Sequence, residues 1–145
     1  MAKVFDFSHA TNEVFTERGV VLPLPDQSTA TFEDREDKGL EVQRRIIGSD
    51  VVYRLYASSP EDQSHIQHYL SANCFGDYYT RTGIEAPTRE LLTFSMLVAL
   101  GGCDPEVKGH VAAKVHVGDG RSRLIEVATQ LLPSIGYQSL RRQPF

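Results

Sequence analysis

Pro87-Thr88-Arg89-Glu90-Leu91-Leu92-Thr93-Phe94-Ser95-Met96-Leu97-Val98, closed by Gly101-Gly102 and followed by Cys103-Asp104-Pro105-Glu106-Val107-Lys108-Gly109-His110, is the run that decides the fold class. Pro87 opens a helix, because its fixed φ suits a first helical position. Leu91, Leu92, Ser95 and Val98 then line one side at helical spacing. Gly101-Gly102 stops the helix, and Asp104-Pro105 restarts the chain with a capping residue before proline. A turn that short makes the two helices antiparallel neighbours.

The same grammar extends in both directions. Thr31-x-x-Asp34 resembles a capping box, and Gly48 closes the segment that ends in Arg45-Ile46-Ile47. A short helix is predicted from Ser49 or Asp50 to about Ala57. Ser59-Pro60-Glu61-Asp62 starts another, in which Ile66, Tyr69, Leu70 and Asn73 share a face. Cys74 to Tyr79 then leads into a loop around Gly83. Downstream, the helix begun at Asp104 runs to Val117 and Gly118. Residues 122–132 carry Leu124, Ile125, Ala128, Leu131 and Leu132, Pro133 ends that helix, and a last short one runs toward Leu140. Residues 1–30 read as an arm, since Val20-Val21-Leu22-Pro23-Leu24-Pro25 is at best an extended edge segment. The expectation is an arm over 1–30 and an all-α, compact multi-helix bundle over 31–145.

Composition narrows the function classes. The 145 residues are 41% hydrophobic and carry a net charge of −4. All of that imbalance sits in the first 38 residues, and the balanced remainder has no electrostatic footprint for nucleic acid. The acidic run Glu33-Asp34-Arg35-Glu36-Asp37-Lys38 reads as a solvated first helical turn. No apolar run approaches the ~18 residues of a membrane span. Asp6, His9 and Asn12 interrupt any secretory core, so a soluble, cytoplasmic, membrane-free protein is expected. Two cysteines, Cys74 and Cys103, make no disulfide scaffold. There is no phosphate-cradling glycine motif and no nucleophile elbow.

The candidate chemistry is concentrated in two helices. Cys103 precedes a proline-started helix, a position whose dipole can favour a thiolate. Glu106 and His110 follow it at helical spacing, so a thiol, a carboxylate and an imidazole share a stripe. A carboxylate one turn from a histidine can fix its tautomer and raise its basicity. The plainer reading is an ordinary Glu–His surface pair beside a structural cysteine. Glu90, in the opening of the preceding helix, suits a first turn; Arg89 does not, which suggests an anionic partner. His65 and His68 have a metal-compatible spacing but no third ligand nearby, so no metal is expected.

These residues carry a resemblance. Cys74-Phe75-Gly76-Asp77-Tyr78-Tyr79-Thr80-Arg81, Arg89-Glu90-Leu91-Leu92-Thr93 and Lys108-Gly109-His110-Val111-Ala112-Ala113 resemble blocks of the carboxymuconolactone decarboxylase family, within the alkyl hydroperoxidase D-like superfamily. So do Gly39 to Gly48, Val117-Gly118, Glu126 and Pro133 to Tyr137. Agreement spans about residues 38–138, with the blocks in order. The resemblance implies an all-α fold of the alkyl hydroperoxidase D-like type that self-associates as a trimer or hexamer, with active sites near subunit contacts.

It also implies two chemistries. In the decarboxylase branch a histidine matching His110 helps a carboxylated lactone lose CO2 without a cofactor, in aromatic-compound degradation. In the hydroperoxidase branch, two cysteines in a C-x-x-C-x-x-x-H motif cycle through a disulfide. Here that motif reads Cys103-x-x-Glu106-x-x-x-His110, with no adjacent resolving thiol. Decarboxylation beside a lactone builds an enolate, so the site must hold an anion and deliver a proton to carbon. His110 is the expected donor, supported by Glu106, while Arg89, Glu90 and Lys114 are the substrate-binding candidates. The alternatives are a thiol peroxidase using Cys103 with Cys74 as distant resolving partner, and a family member that binds a small molecule or assembles without turnover.

Overall fold

The computed structural model describes residues 2–116 and 120–140, with side chains given for all of these except 113–116 and 138–140. Every regular element among the described residues is helical. The order is α1 (Ala2–Glu17), α2 (Arg35–Ile47), α3 (Ser49–Ser58), α4 (Ser64–Tyr69), a π-helical segment (Leu70–Tyr79), α5 (Ala86–Leu100), α6 (Asp104–His116) and α7 (Arg121–Leu140). None of these helices is long and apolar enough to cross a membrane.

The sequence signals for helix ends hold where they are local. Asp34 precedes α2 without a side-chain cap bond; its carboxylate accepts from the Thr31 amide at 2.7 Å and meets Lys38 Nζ at 2.6 Å. Lys38 first, and then the Thr31 amide, hold the Asp34 carboxyl below its ordinary pKa. Gly48 ends α2 and begins α3 at φ 92°, and Gly101 and Gly102 turn the chain between α5 and α6 with φ of 70° and 73°. Only glycine adopts that left-handed backbone without penalty.

The first half of the arm is a 16-residue helix with no buried residue, and prolines interrupt the chain further on. Three expectations need correction. The stretch from Cys74 to Tyr79 is helical, in wide π turns that follow directly on α4. In consequence Ser71, Ala72, Phe75 and Gly76 are buried, while Ile66, Tyr69 and Leu70 stay exposed. Finally, Pro133 lies inside α7 and the break falls at Gly136, at φ 73°. The helix end expected at Val117 and Gly118 lies outside the described residues.

Two apolar clusters hold the molecule together. Val42 and Ile46 of α2 pack on Phe75 of the π segment, joined by Cys74, Tyr79 and Ala86. Phe94 and Val98 of α5, Val107 of α6 and Leu124 of α7 form the second cluster. Burying each such side chain is worth about 1.5–3 kcal/mol. Where α2 crosses the π segment the backbones touch. A Cβ on Gly39 would lie 1.9 Å from the Ser71 carbonyl oxygen, and one on Gly76 would lie 2.0 Å from that of Arg35.

Candidate active site

Tyr79 from the first cluster meets Glu90 at the start of the second, and the polar groups collect at this junction. Glu90 lies one turn into α5, in register with Phe94 and Val98 at i+4 and i+8, and all three are buried. The Glu90 side chain is 1% exposed, and Oε2 lies 2.7 Å from Nδ1 of His110 on α6. An ionised carboxylate can only accept, so the bond is Nδ1–H to Oε2 and the proton-free tautomer position is Nε2. The His110 side chain keeps 26% of its surface exposed.

Tyr79 adds a third member. Its ring packs on Phe75, with centroids 5.2 Å apart, and its hydroxyl lies 3.0 Å from Thr93 Oγ1. The Glu90 carboxylate lies near enough to act on that hydroxyl. Thr93 Oγ1 gives its own proton to the Arg89 carbonyl at 3.0 Å, so Tyr79 donates to Thr93. Burial first, and then the Glu90 carboxylate, push the Tyr79 phenol well above its ordinary range. Cys74 lies in the same neighbourhood; burial and then the charge of Glu90 raise its thiol pKa. A thiol held protonated is a poor nucleophile.

The other expected site residues are placed differently. Glu106 is exposed, and the imidazole bonds Glu90 instead, on the neighbouring helix. Cys103 is half-buried, and its thiol donates to the carbonyls of Leu97 at 3.4 Å and Gly101 at 3.5 Å, tying down the end of α5. Both cysteines are free. Arg89 has carbonyls rather than an anion: Nε donates to Ile84 at 2.8 Å, and Nη2 to Arg81 at 2.9 Å and Thr82 at 3.1 Å. It fastens the loop ahead of α5. The side chain of Lys114 lies outside the described residues. His68 bonds Glu36 and meets the Tyr56 ring edge-on, and no group of three or more His, Cys, Asp or Glu among the described residues forms a metal-ligand set.

Glu90, by sequence a first-turn acid and a substrate-binding candidate, pairs with His110 instead. Its register with Phe94 and Val98 was the available signal, since a carboxylate on a buried stripe needs a partner. Tyr79 was missed because its segment was read as leading into a loop.

Residues 65–142, from α4 onward, match the family model described as "Carboxymuconolactone decarboxylase family". The chain is also similar to the 4-carboxymuconolactone decarboxylase of Acinetobacter baylyi. The two are 30% identical over 95 residues, which is 66% of this chain and 70% of that protein. Glu90, Cys103, Glu106 and His110 all fall inside the family match.

Proposed function

The chain belongs to the carboxymuconolactone decarboxylase family, and from that premise we propose that it is a carboxy-lyase acting on a small carboxylated lactone, with His110 as the acid. The observation that carries the reading is the 2.7 Å contact between His110 Nδ1 and a carboxylate that is 1% exposed. It anchors one imidazole nitrogen and leaves the other at a partly open surface. The reaction breaks the carbon–carboxylate bond, and the electron pair delocalises into the lactone carbonyl as an enolate. CO2 leaves, and carbon takes one proton. Nε2 takes a proton from solvent beforehand, and the resulting imidazolium passes it to carbon and is left neutral, while Glu90 fixes the ring and balances the imidazolium charge. The relative's name supports the substrate class.

The test is His110→Gln, assayed by CO2 release from a panel of carboxylated γ-lactones. Glutamine keeps a donor for Glu90 but cannot titrate. Turnover should fall ~10²–10⁴-fold, the usual worth of general acid–base catalysis. If a lactone is turned over normally by this variant, His110 is not the acid.

Self-association belongs to the same reading. Val4, Phe5 and Phe7 on α1 are 66%, 61% and 73% exposed, and such apolar surface favours contact between copies. Light scattering should give a trimer or hexamer; a 16.2 kDa species at micromolar concentration would count against assembly.

A further inference from the structure

A second feature stands apart from the open edge of His110. Between α2 and the loop from Thr80 to Ala86 lies a cavity of about 580 Å3, within the range of small-molecule sites. The loop that roofs it is held from both sides. Arg89 takes the carbonyls of Arg81, Thr82 and Ile84, and the arm bonds the loop where Thr82 N donates to Gln27 O and Thr29 Oγ1 to Thr80 O. A cavity with so fixed a roof is preformed, which lowers the entropic cost of filling it.

The lining sets the ligand chemistry. Three cations face it, Lys38, Arg45 and Arg81, against two carboxylates, Glu41 and Glu85. Lys38 is already engaged by Asp34 and the Thr29 carbonyl, and Arg81 stands 3.8 Å from Asp26. Arg45 has no carboxylate within ion-pair distance among the described residues. Its planar fork suits a carboxylate. The two glutamates repel any ligand of higher negative charge. Val42, Ile84 and the Tyr79 ring supply an apolar wall. That ring ends in a hydroxyl that lies beside Glu90, which in turn holds His110.

We propose that this cavity binds a small monocarboxylate with an apolar body, its carboxylate on Arg45 and its body against Tyr79, and that occupancy is felt at His110 through the Tyr79–Glu90 contact. The proposal does not rest on the lyase reading, because neither of its readouts requires turnover.

Sodium benzoate is the probe, titrated into the full chain by calorimetry and by NMR of the histidine ring signals. Wild-type protein should show saturable one-site binding. Arg45→Ala should weaken it at least 10-fold, and Arg45→Gln, which keeps the stem, should do the same. Arg44→Ala, an exposed side chain one residue away on the same helix, should change it less than 2-fold. Saturation should shift the His110 ring signals in the wild type but not in Tyr79→Phe, which keeps the ring and still binds. Absence of saturable binding, or binding indifferent to both Arg45 variants, overturns the site. Inorganic phosphate binding as tightly as benzoate overturns the ligand class, and an unchanged His110 shift in Tyr79→Phe overturns the coupling.

Discussion

Glu90→Gln isolates the charge at the junction of the two clusters while keeping its shape. In the native protein the carboxylate is 1% exposed and accepts from His110 Nδ1 at 2.7 Å. A hydrogen bond to a charged group contributes about 1.5–3 kcal/mol net. At about 1.36 kcal/mol per tenfold in rate, losing that contribution at the transition state slows turnover by about 10–150-fold. Stability responds less. The amide removes a costly buried charge and still offers His110 an acceptor, so the net change stays within about 1 kcal/mol. For a chain of this size that moves Tm by no more than about 4 °C. Glu90→Ala is the contrast. It strands the His110 N–H in a partly buried space, a loss of about 1–3 kcal/mol. Initial rates of CO2 release from carboxylated γ-lactones, with heat denaturation of the same samples, read both effects. A Glu90→Gln protein with native rates would refute the role of the carboxylate in orienting His110. A Glu90→Ala protein with native Tm would refute its place in a buried pair.

Two further outcomes are expected. Gly39→Ala drives a methyl to 1.9 Å from the Ser71 carbonyl oxygen, so urea denaturation should show a loss of about 3 kcal/mol or more. Cys74 gives a pH dependence with a definite sign. Burial and then Glu90 raise its folded pKa above its ordinary value of 9.0, so the folded state holds the proton longer than the unfolded chain. That contribution is whole below pH 9 and is lost as pH climbs through the folded pKa, so stability falls on the alkaline side. Cys74→Ala should make the decline above pH 9 shallower; an unchanged slope in denaturation curves would count against the buried thiol.

Helix boundaries were legible wherever one or two residues dictate the backbone. Gly48, Pro87, Gly101-Gly102 and Asp104-Pro105 act through φ and the missing or capped amide, and no distant contact can overrule them. Faces were harder to read. A stripe of Ile66, Tyr69, Leu70 and Asn73 presumes 3.6 residues per turn, whereas the π segment bonds i to i+5 and winds more slowly. Its inward side therefore drifts to Ser71, Ala72, Phe75 and Gly76. The stripe drawn on α5 through Leu92 failed for another reason. Leu92 is 47% exposed, while Glu90 is buried because His110 and Tyr79 await it across the junction. The place of His110 on α6 could be read from spacing. Its partner could not, because that depends on how α6 lies across α5. Pro133 misled because a proline one turn before a glycine of φ 73° lets the real break fall later, at Gly136.

The crossing of α2 over the π segment also has a consequence for suppressor genetics. Most packing faults can be relieved by a second substitution, since a neighbouring side chain can shrink to make room. At Gly39 and Gly76 the opposing atoms are the peptide oxygens of Ser71 and Arg35, which every amino acid carries. No change of side chain on the facing helix removes them. A screen for intragenic suppressors of a substitution at either glycine should therefore return true revertants at that codon, while lesions in the Phe94–Val107–Leu124 cluster yield compensating partners freely.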